Sequence, residues 1–558
     1  MKKDLLLALL LFSFTTYGQN WQWALSCGKS MSDDFGILAA DNNSNIYLAS
    51  NFSIPYGIYG DDTLYTAAGY VAFSKIDASG NFLWTKQLGG NSSGYENTKA
   101  ITFSSASDCI YLSGVFQGSI TIGNTVLTSM SLSEDIFLAK YDSNGNCIWA
   151  KKAGGIASDA AYRISTDNND NLYVVAEVHD SAYFDSVLVP KGTIIAKYDG
   201  NGNCLWAKRI LNNTTDNLST DQAYVRSISC YSNEILIGAI TVNDTITVDQ
   251  DTLFGAQTWG DDLLLAKFDS NGNLLWAKLD GGGYLNYNIG AKYDGAGNIY
   301  ACGALWSYGA QFGNIQIPTP SNGVRECFLV KYDGNGNVIW VRKNWSSGFY
   351  GGCNPHDFSV SKINGSVYIA GTFRDTIQFD SYSVHTSNWQ DIDMFVAGCD
   401  SSGNYHGVLN AKIAVSSGPT VQPHVSSVVH DINNSCYVSG PFRNTTAFGN
   451  YSLTSLYQYD VFIAKCDAMV GINEKSSSNN SILIYPNPNN GSFHIKLPSE
   501  IINFKNATAI IYSGDGREEG SVRLNNNNQL DIKNLSSGIY FLKLVIDDKV
   551  YFEKLIIQ

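Results

Sequence analysis

The sequence is poor in the residues that usually carry catalysis. It holds 7 histidines in 558 residues, and no H-E-x-x-H, G-x-S-x-G, Walker-type or paired C-x-x-C motif. The linear signatures of zinc proteases, α/β-hydrolases, P-loop enzymes and zinc ribbons are therefore missing, and the sequence implies no metal and no cofactor. Only 15% of residues are charged, and the formal net charge is −14. A nucleic-acid partner, or electrostatic docking on an anionic membrane, calls for the opposite sign. After the N-terminal segment no run of eighteen apolar residues occurs, so no transmembrane segment is expected and the mature chain reads as soluble. Proline is scarce, at 11 residues, and no stretch carries a helical period of useful length. That leaves short strands joined by tight turns. The 11 cysteines are odd in number and widely scattered, unlike a small disulfide scaffold. Cys147 and Cys204 share one place in a repeat, and Cys399 and Cys466 another, so they read as small core residues. One or two bridges are left open.

The chain begins "MKKDLLLALLLFSFTTYGQN". Two lysines precede an apolar stretch too short to span a bilayer, the pattern of a secretory signal peptide. Thr16 and Gly18 are small enough for the cleavage subsites, which puts the cut between Gly18 and Gln19.

Most of the remaining chain is repetitive. "AKYDSNGNCIWAKKAGG" has relatives around Asp77, Asp199, Asp269 and Asp333, a degenerate copy at Asp400 and a truncated one at Asp467. The degenerate copy has Leu409 where the others have tryptophan. The aspartate-rich centre does not fit a calcium loop of the EF-hand kind. That loop needs glycine at its sixth position and glutamate at its twelfth, but glycine comes fourth (Gly145) and Ala153 twelfth. Strands flanking a short Asp/Asn/Gly segment make a hairpin turn instead. A second element, such as "NIYLASNF", "CIYLSGVF" or "SVYIAGTF", recurs as often and reads as a central strand. Units of about four strands repeated seven times make an all-β, seven-bladed β-propeller. The period exceeds the roughly 40–50 residues of the common propeller families, so the surplus is expected in loops between strands. The tryptophan strand "NWQWALSCGK" comes first and the lysine–aspartate strand "DVFIAKCD" comes last. Pairing the two closes the ring without a free edge.

The domain boundaries are then signal peptide 1–18, propeller 19–467, a polar linker 468–480, and a C-terminal β-sandwich 481–558. The repeat resembles the SBBP class of bacterial β-propellers, with the shared pattern "D.FLAKYD.NGN..WAK..GG". The tail resembles the type A C-terminal sorting domain of the type IX (Por) secretion system of Bacteroidetes. That likeness rests on Tyr485, Pro486, Asn487 and Pro488, on Gly491 and Phe493, on Gly538 and Tyr540, and on the final segment from Lys554. The resemblance implies handling by the type IX machinery, passage through the periplasm, and removal of the tail. Release, or attachment to surface lipopolysaccharide, then completes the route.

Functional candidates fall into two sets. Asp135, Asp262, Glu326, Asp393 and Asp460 recur five residues before the marker lysine or its equivalent. They form either an acidic ring that draws a cation or sugar, or caps for the turn entering each strand; the sequence favours the second. Trp259, Trp306, Trp389, Tyr457 and Tyr459 break the repeat, and exposed loop aromatics of this kind stack on sugar rings or fill a partner's pocket. His356 and Asp357 in "NPHD", and His424, His430 and Asp431 in "HVSSVVHD", have no recognised ligand spacing. The sequence thus points to a surface or secreted module that binds glycan or protein, an adhesin for instance. A polysaccharide-active enzyme working from channel loops, and a purely structural surface protein, are the alternatives.

Overall fold

In the computed structural model, the residues described are 20–469 and 482–557. The exceptions are 30–32, 54, 66–69, 90–95, 212–222, 242–244, 256–260, 283–284, 307–308, 319–322, 348–351, 389–390, 414–423, 457–458, 486, 488, 490, 498–506, 514–517, 524–528, 532–534, 537 and 547–548. The signal-peptide and cleavage expectations, Gly18 and Gln19 included, lie outside the described residues. The chain divides into two compact units, Met1–Gly471 and Ile472–Gln558.

The first unit is built from one antiparallel pattern used repeatedly. Glu96–Ser104 pairs with Cys109–Gln117, which pairs with Glu134–Asp142, which pairs with Cys147–Gly155. Equivalent groups of four start at Asp34, Asp159, Ala223, Leu285 and Gly352. The last group is assembled from both ends of the unit. Ser427–His430, Cys436–Phe442 and Asp460–Cys466 pair in order, and Trp21–Cys27 supplies the fourth strand. The second and third strands of the groups are buried on both faces and largely apolar. Ile46–Phe52 and Asp393–Cys399 are examples. Large buried tyrosines such as Tyr111, Tyr173, Tyr300 and Tyr368 fill the space between groups, which accounts for the tyrosine content. The first strands touch one another in a cycle: the one from Asp34 meets that from Glu96, and so on in order until Ser427–His430 meets Asp34–Ala40.

The surplus period is not loop, as the sequence reading expects, but a regular hairpin between the second and third strands. Ser119–Ile122 pairs with Thr125–Thr128, and Thr376–Phe379 with Tyr382–His385. Each such hairpin turns at a residue with positive φ, for example Gly60, Gly123, Asp185, Gly313, Asp380 and Gly449. Glycine, or aspartate with its local hydrogen bonds, tolerates that conformation. Asp185 and Asp380 also accept hydrogen bonds from the backbone N–H of Cys204 (2.7 Å) and Tyr405 (2.8 Å), pinning the turn to the start of the fourth strand.

The second unit holds two sheets. Leu483–Tyr485, Ser492–Lys496 and Gln529–Asp531 form one. Glu518–Arg523, Ala507–Ser513, Gly538–Ile546 and Lys549–Ile557 form the other. Ile484, Phe493, Ile511, Leu542 and Leu555 from both sheets share one buried core.

Candidate functional site

The marker turns leave no carboxylate oxygen for a ligand. In the Asp142 turn, Oδ1 accepts the N–H of Asn144 (3.0 Å) and Asn146 (2.7 Å), and Oδ2 accepts the Asn146 amide (2.9 Å). Asp77, Asp199, Asp269, Asp333 and Asp400 repeat these bonds. Both carboxylate oxygens are consumed by the turn itself. Partial burial pushes the Asp142 carboxyl up, but the bonds from Asn146, Asn144 and Gly145 outweigh it, so the group titrates below the ordinary carboxylate range.

Each turn is gripped by the preceding group. Lys140 Nζ and Trp149 Nε1 both donate to the Gly200 carbonyl, at 3.0 and 3.1 Å. Lys75 and Trp84 do the same to Ser143, Lys197 and Trp206 to Ser270, and Lys465 and Trp23 to Ala78. The indole lies on the turn glycine. A Cβ on Gly145 would sit 3.0 Å from Trp84, and one on Gly202 2.8 Å from Trp149. The lysine, the tryptophan and the Asp-x-x-Gly turn are therefore one latch between neighbours.

The five recurrent acids are buried within their own groups. Asp135 is 1% exposed and Asp460 is fully buried. Asp135 accepts the Met130 N–H and Asp460 the Leu456 N–H, both from the loop entering their own strand. Asp393 accepts the Ile413 N–H, and Glu326 Oε2 pairs with Lys343 Nζ at 2.5 Å. Asp262 is likewise buried. Burial raises the Asp460 carboxyl to about 6, against the Leu456 hydrogen bond that lowers it.

Of the aromatic candidates, Trp259, Trp389 and Tyr457 lie outside the described residues. Trp306 is 39% exposed; its Nε1 donates to Gly323 (3.0 Å), and the Arg325 guanidinium stands 5.1 Å from its ring. Tyr459 departs from the expectation of an exposed loop aromatic. It is 7% exposed, because its ring is packed beside Arg443, and its carbonyl accepts the Asp33 N–H. Sequence reasoning also passed over Trp345, 47% exposed on a short strand paired with Thr376–Phe379.

The first strands enclose a cavity of about 460 Å³ lined by residues from every group, from Ile37 through Lys99, Arg163, Arg226, Lys292 and His356 to Ser427. The strands share a register shift at this level: Thr98/Ala100, Ala161/Arg163, Val225/Ser227 and Pro355/Asp357 each bracket an extra residue. Such bulges re-aim side chains. The structure also brings two of the scattered histidines together. The His356 and His424 rings stack at 5.6 Å, and His356 Nε2 lies 3.0 Å from Thr372 Oγ1. Burial, with help from His424, holds His356 down at about 4, so it is neutral at pH 7. His430 Nδ1 instead bonds Ser359 Oγ at 2.7 Å. A second cavity of about 440 Å³ continues past Asp41, Asp167 and Asp431. Those carboxylates are tied up in their own turns, as Asp167 is by Asn169 and Asn171.

In the tail, Asn487 Oδ1 accepts the Ile556 N–H (2.8 Å), and Gly491, at φ +96°, donates to Asn489. Tyr540 is buried with its hydroxyl on the Ser536 carbonyl (2.9 Å), and Tyr485 is exposed against His494. Gly538 starts and Lys554 sits within the last two paired strands. Pro486 and Pro488 lie outside the described residues.

No helix among the described residues is long and apolar enough to cross a membrane. Among known proteins, the chain is similar to an uncharacterized WD repeat-containing protein of Acanthamoeba polyphaga mimivirus. The two are 33% identical over 107 residues, 18% of this chain. The matched part spans 8% of that protein's length. Among solved structures it is similar to the β-propeller domain of the Trilobed protease from Pyrococcus furiosus (TM-score 0.34, 9% identity, 75% of this chain and 97% of that one). It is also similar to Drosophila Semaphorin 2a (TM-score 0.38, 8% identity, 96% and 97%). Residues 483–558 match the secretion system C-terminal sorting domain, which directs the protein to the outer cell surface or the extracellular space through type IX secretion.

Proposed function

We propose that the protein is a secreted or surface-held seven-bladed β-propeller that binds glycan or protein ligands and is carried out by a C-terminal β-sandwich tail. The observation that carries the reading is the cavity lined from every first strand. It is a concave site on an exported scaffold whose marker turns have both carboxylate oxygens committed to their own backbone and asparagine. Support for ring closure comes from the pairing of Trp21–Cys27 with Asp460–Cys466 and from the cycle of first-strand contacts. Binding rather than turnover is favoured because the recurrent carboxylates are tied to their own groups and the buried His356 is neutral. Neither offers a poised acid–base pair. Trp306 keeps an exposed edge for a second contact.

A glycan array on the purified protein, with turnover assayed on each glycan that binds, tests this. Retention of at least one glycan class without release of products is the expected result. Failure to bind across a broad panel removes the carbohydrate reading, and product release replaces the binding module with an enzyme.

A further inference from the structure

The chain carries a net charge of −14, yet the cavity between the first strands is lined by Lys99, Arg163, Arg226 and Lys292, with Asp357 the one carboxylate among the described residues. The cations come from separate strands, so no short sequence segment assembles them. Asp357 faces two of these cations, pairing with Lys292 and acting on Arg163 beyond ion-pair distance. Its Oδ1 lies 3.1 Å from Lys292 Nζ, and its Oδ2 accepts the Val428 N–H at 2.9 Å. Lys99, Arg163 and Arg226 form no ion pair within 4 Å among the described residues. Arg163 spends Nε on the Arg226 carbonyl and one terminal nitrogen on the Tyr162 carbonyl. Its remaining N–H groups are left for a ligand, since guanidinium offers five. Arg226 is exposed to the lumen. Glu134 and Glu177 act on this region from the third and second strands of their respective groups, Glu134 on Lys99 and Glu177 on Arg226. They attract the cations without pairing with them.

A low-dielectric wall focuses such a field into the opening. Three cations without carboxylate partners, held by protein around one cavity, cost free energy that a bound anion recovers. We propose that this cavity is a binding site for an oxyanion-bearing ligand, a carboxylated or sulfated saccharide unit, held by Lys99, Arg163 and Arg226. The cavity volume of about 460 Å³ falls in the range of small-ligand sites. This deepens the glycan-binding reading and rests on it for the saccharide but not for the anion.

The test is isothermal titration calorimetry on the full chain with three probes: inorganic sulfate, trigalacturonate and a neutral galactose trisaccharide. Trigalacturonate is expected to bind, the neutral sugar to bind at least tenfold more weakly, and sulfate to compete. Arg226→Gln removes one charge-assisted contact and should weaken trigalacturonate roughly tenfold, with Lys99→Gln similar. Arg226 faces the lumen, so its variant should keep the wild-type melting temperature. A second readout is ligand-induced stabilisation, present in the wild type and reduced in the variants. Anion binding unchanged by both substitutions, or no binding of either anion, overturns the site. Sulfate binding without any saccharide keeps the anion site and sinks the glycan reading. Neutral-sugar binding alone does the reverse.

Discussion

The junctions between neighbouring groups are of two kinds. At most of them a lysine and a tryptophan close on the next group's Asp-x-x-Gly turn, as Lys140 and Trp149 do at Gly200. The group beginning at Gly352 has neither residue: Gly398 stands for lysine, and the strand register puts Gly407, not Leu409 as the sequence reading has it, in the place of tryptophan. Its neighbour explains why. There the third strand ends at Cys466, and the expected turn is cut, because the fourth strand is the N-terminal Trp21–Cys27. With no turn to grip, the latch residues have nothing to touch. Met469 takes the place instead. Its N–H donates to the Tyr368 hydroxyl (2.9 Å), and a Cβ on Gly398 would lie 2.5 Å from its carbonyl oxygen. The degenerate repeat therefore records a structural boundary rather than drift. The cut turn even keeps its first bond. Asp467 N donates to the Asn20 carbonyl (3.1 Å), the role that Asn81 plays for Asp77.

Four measurements bear on that contrast. The largest effect is expected from a chain begun at Gly28, which leaves Asp460–Cys466 as a bare edge. The loss should exceed the whole stability of an ordinary domain, about 5–15 kcal/mol, and the product should aggregate. A soluble chain with an unchanged melting temperature would defeat the closure argument. Next, Trp149→Ala should cost about 3–5 kcal/mol by chemical denaturation, and Leu409→Ala, a partly buried core residue on the fourth strand of the latch-free group, about 2. Equal losses would mean that the latch adds nothing beyond bulk.

The third concerns the closing group itself. Burial raises Asp460 to about 6, so its folded form binds a proton more tightly than the unfolded chain. Its stabilising contribution is full below about pH 4 and disappears as pH rises through 6. Between pH 4 and 7 it should cost about 3 kcal/mol, and Asp460→Asn should flatten that part of the melting profile. A variant with the wild-type slope would contradict it. Asp159, raised to about 6 by burial in an interior group, gives a matched control. Smallest is Asp142→Ala, which removes the turn cap and should cost about 1–2 kcal/mol by chemical denaturation.

The strand pattern was legible because turns and strand centres announce themselves locally: Asp142, Asn146 and Gly145 make a turn wherever they stand. The pairing of the first strand with the last was legible from phase alone. The hairpins between second and third strands were missed, since pairs such as Thr376–Phe379 and Tyr382–His385 are only four residues each and flank an inconspicuous Asp-Ser. The lumen was missed for a different reason. Lys99, Arg163 and Arg226 belong to three first strands and meet at the level of the bulges. Nothing in the local sequence of any one of them marks that meeting.

Asn20 and Asp467 are hydrogen-bonded across 447 residues of chain. Synthesis delivers Trp21–Cys27 long before its partner Asp460–Cys466. Every ribosomal fragment that stops short of Asp460 carries an unmatched Trp21–Cys27, and none of them has acquired the sorting signal that starts at residue 483. Completion of the body and possession of the export address are thus tied to the same last stretch of translation. Chains terminated before Asp460 lack both together.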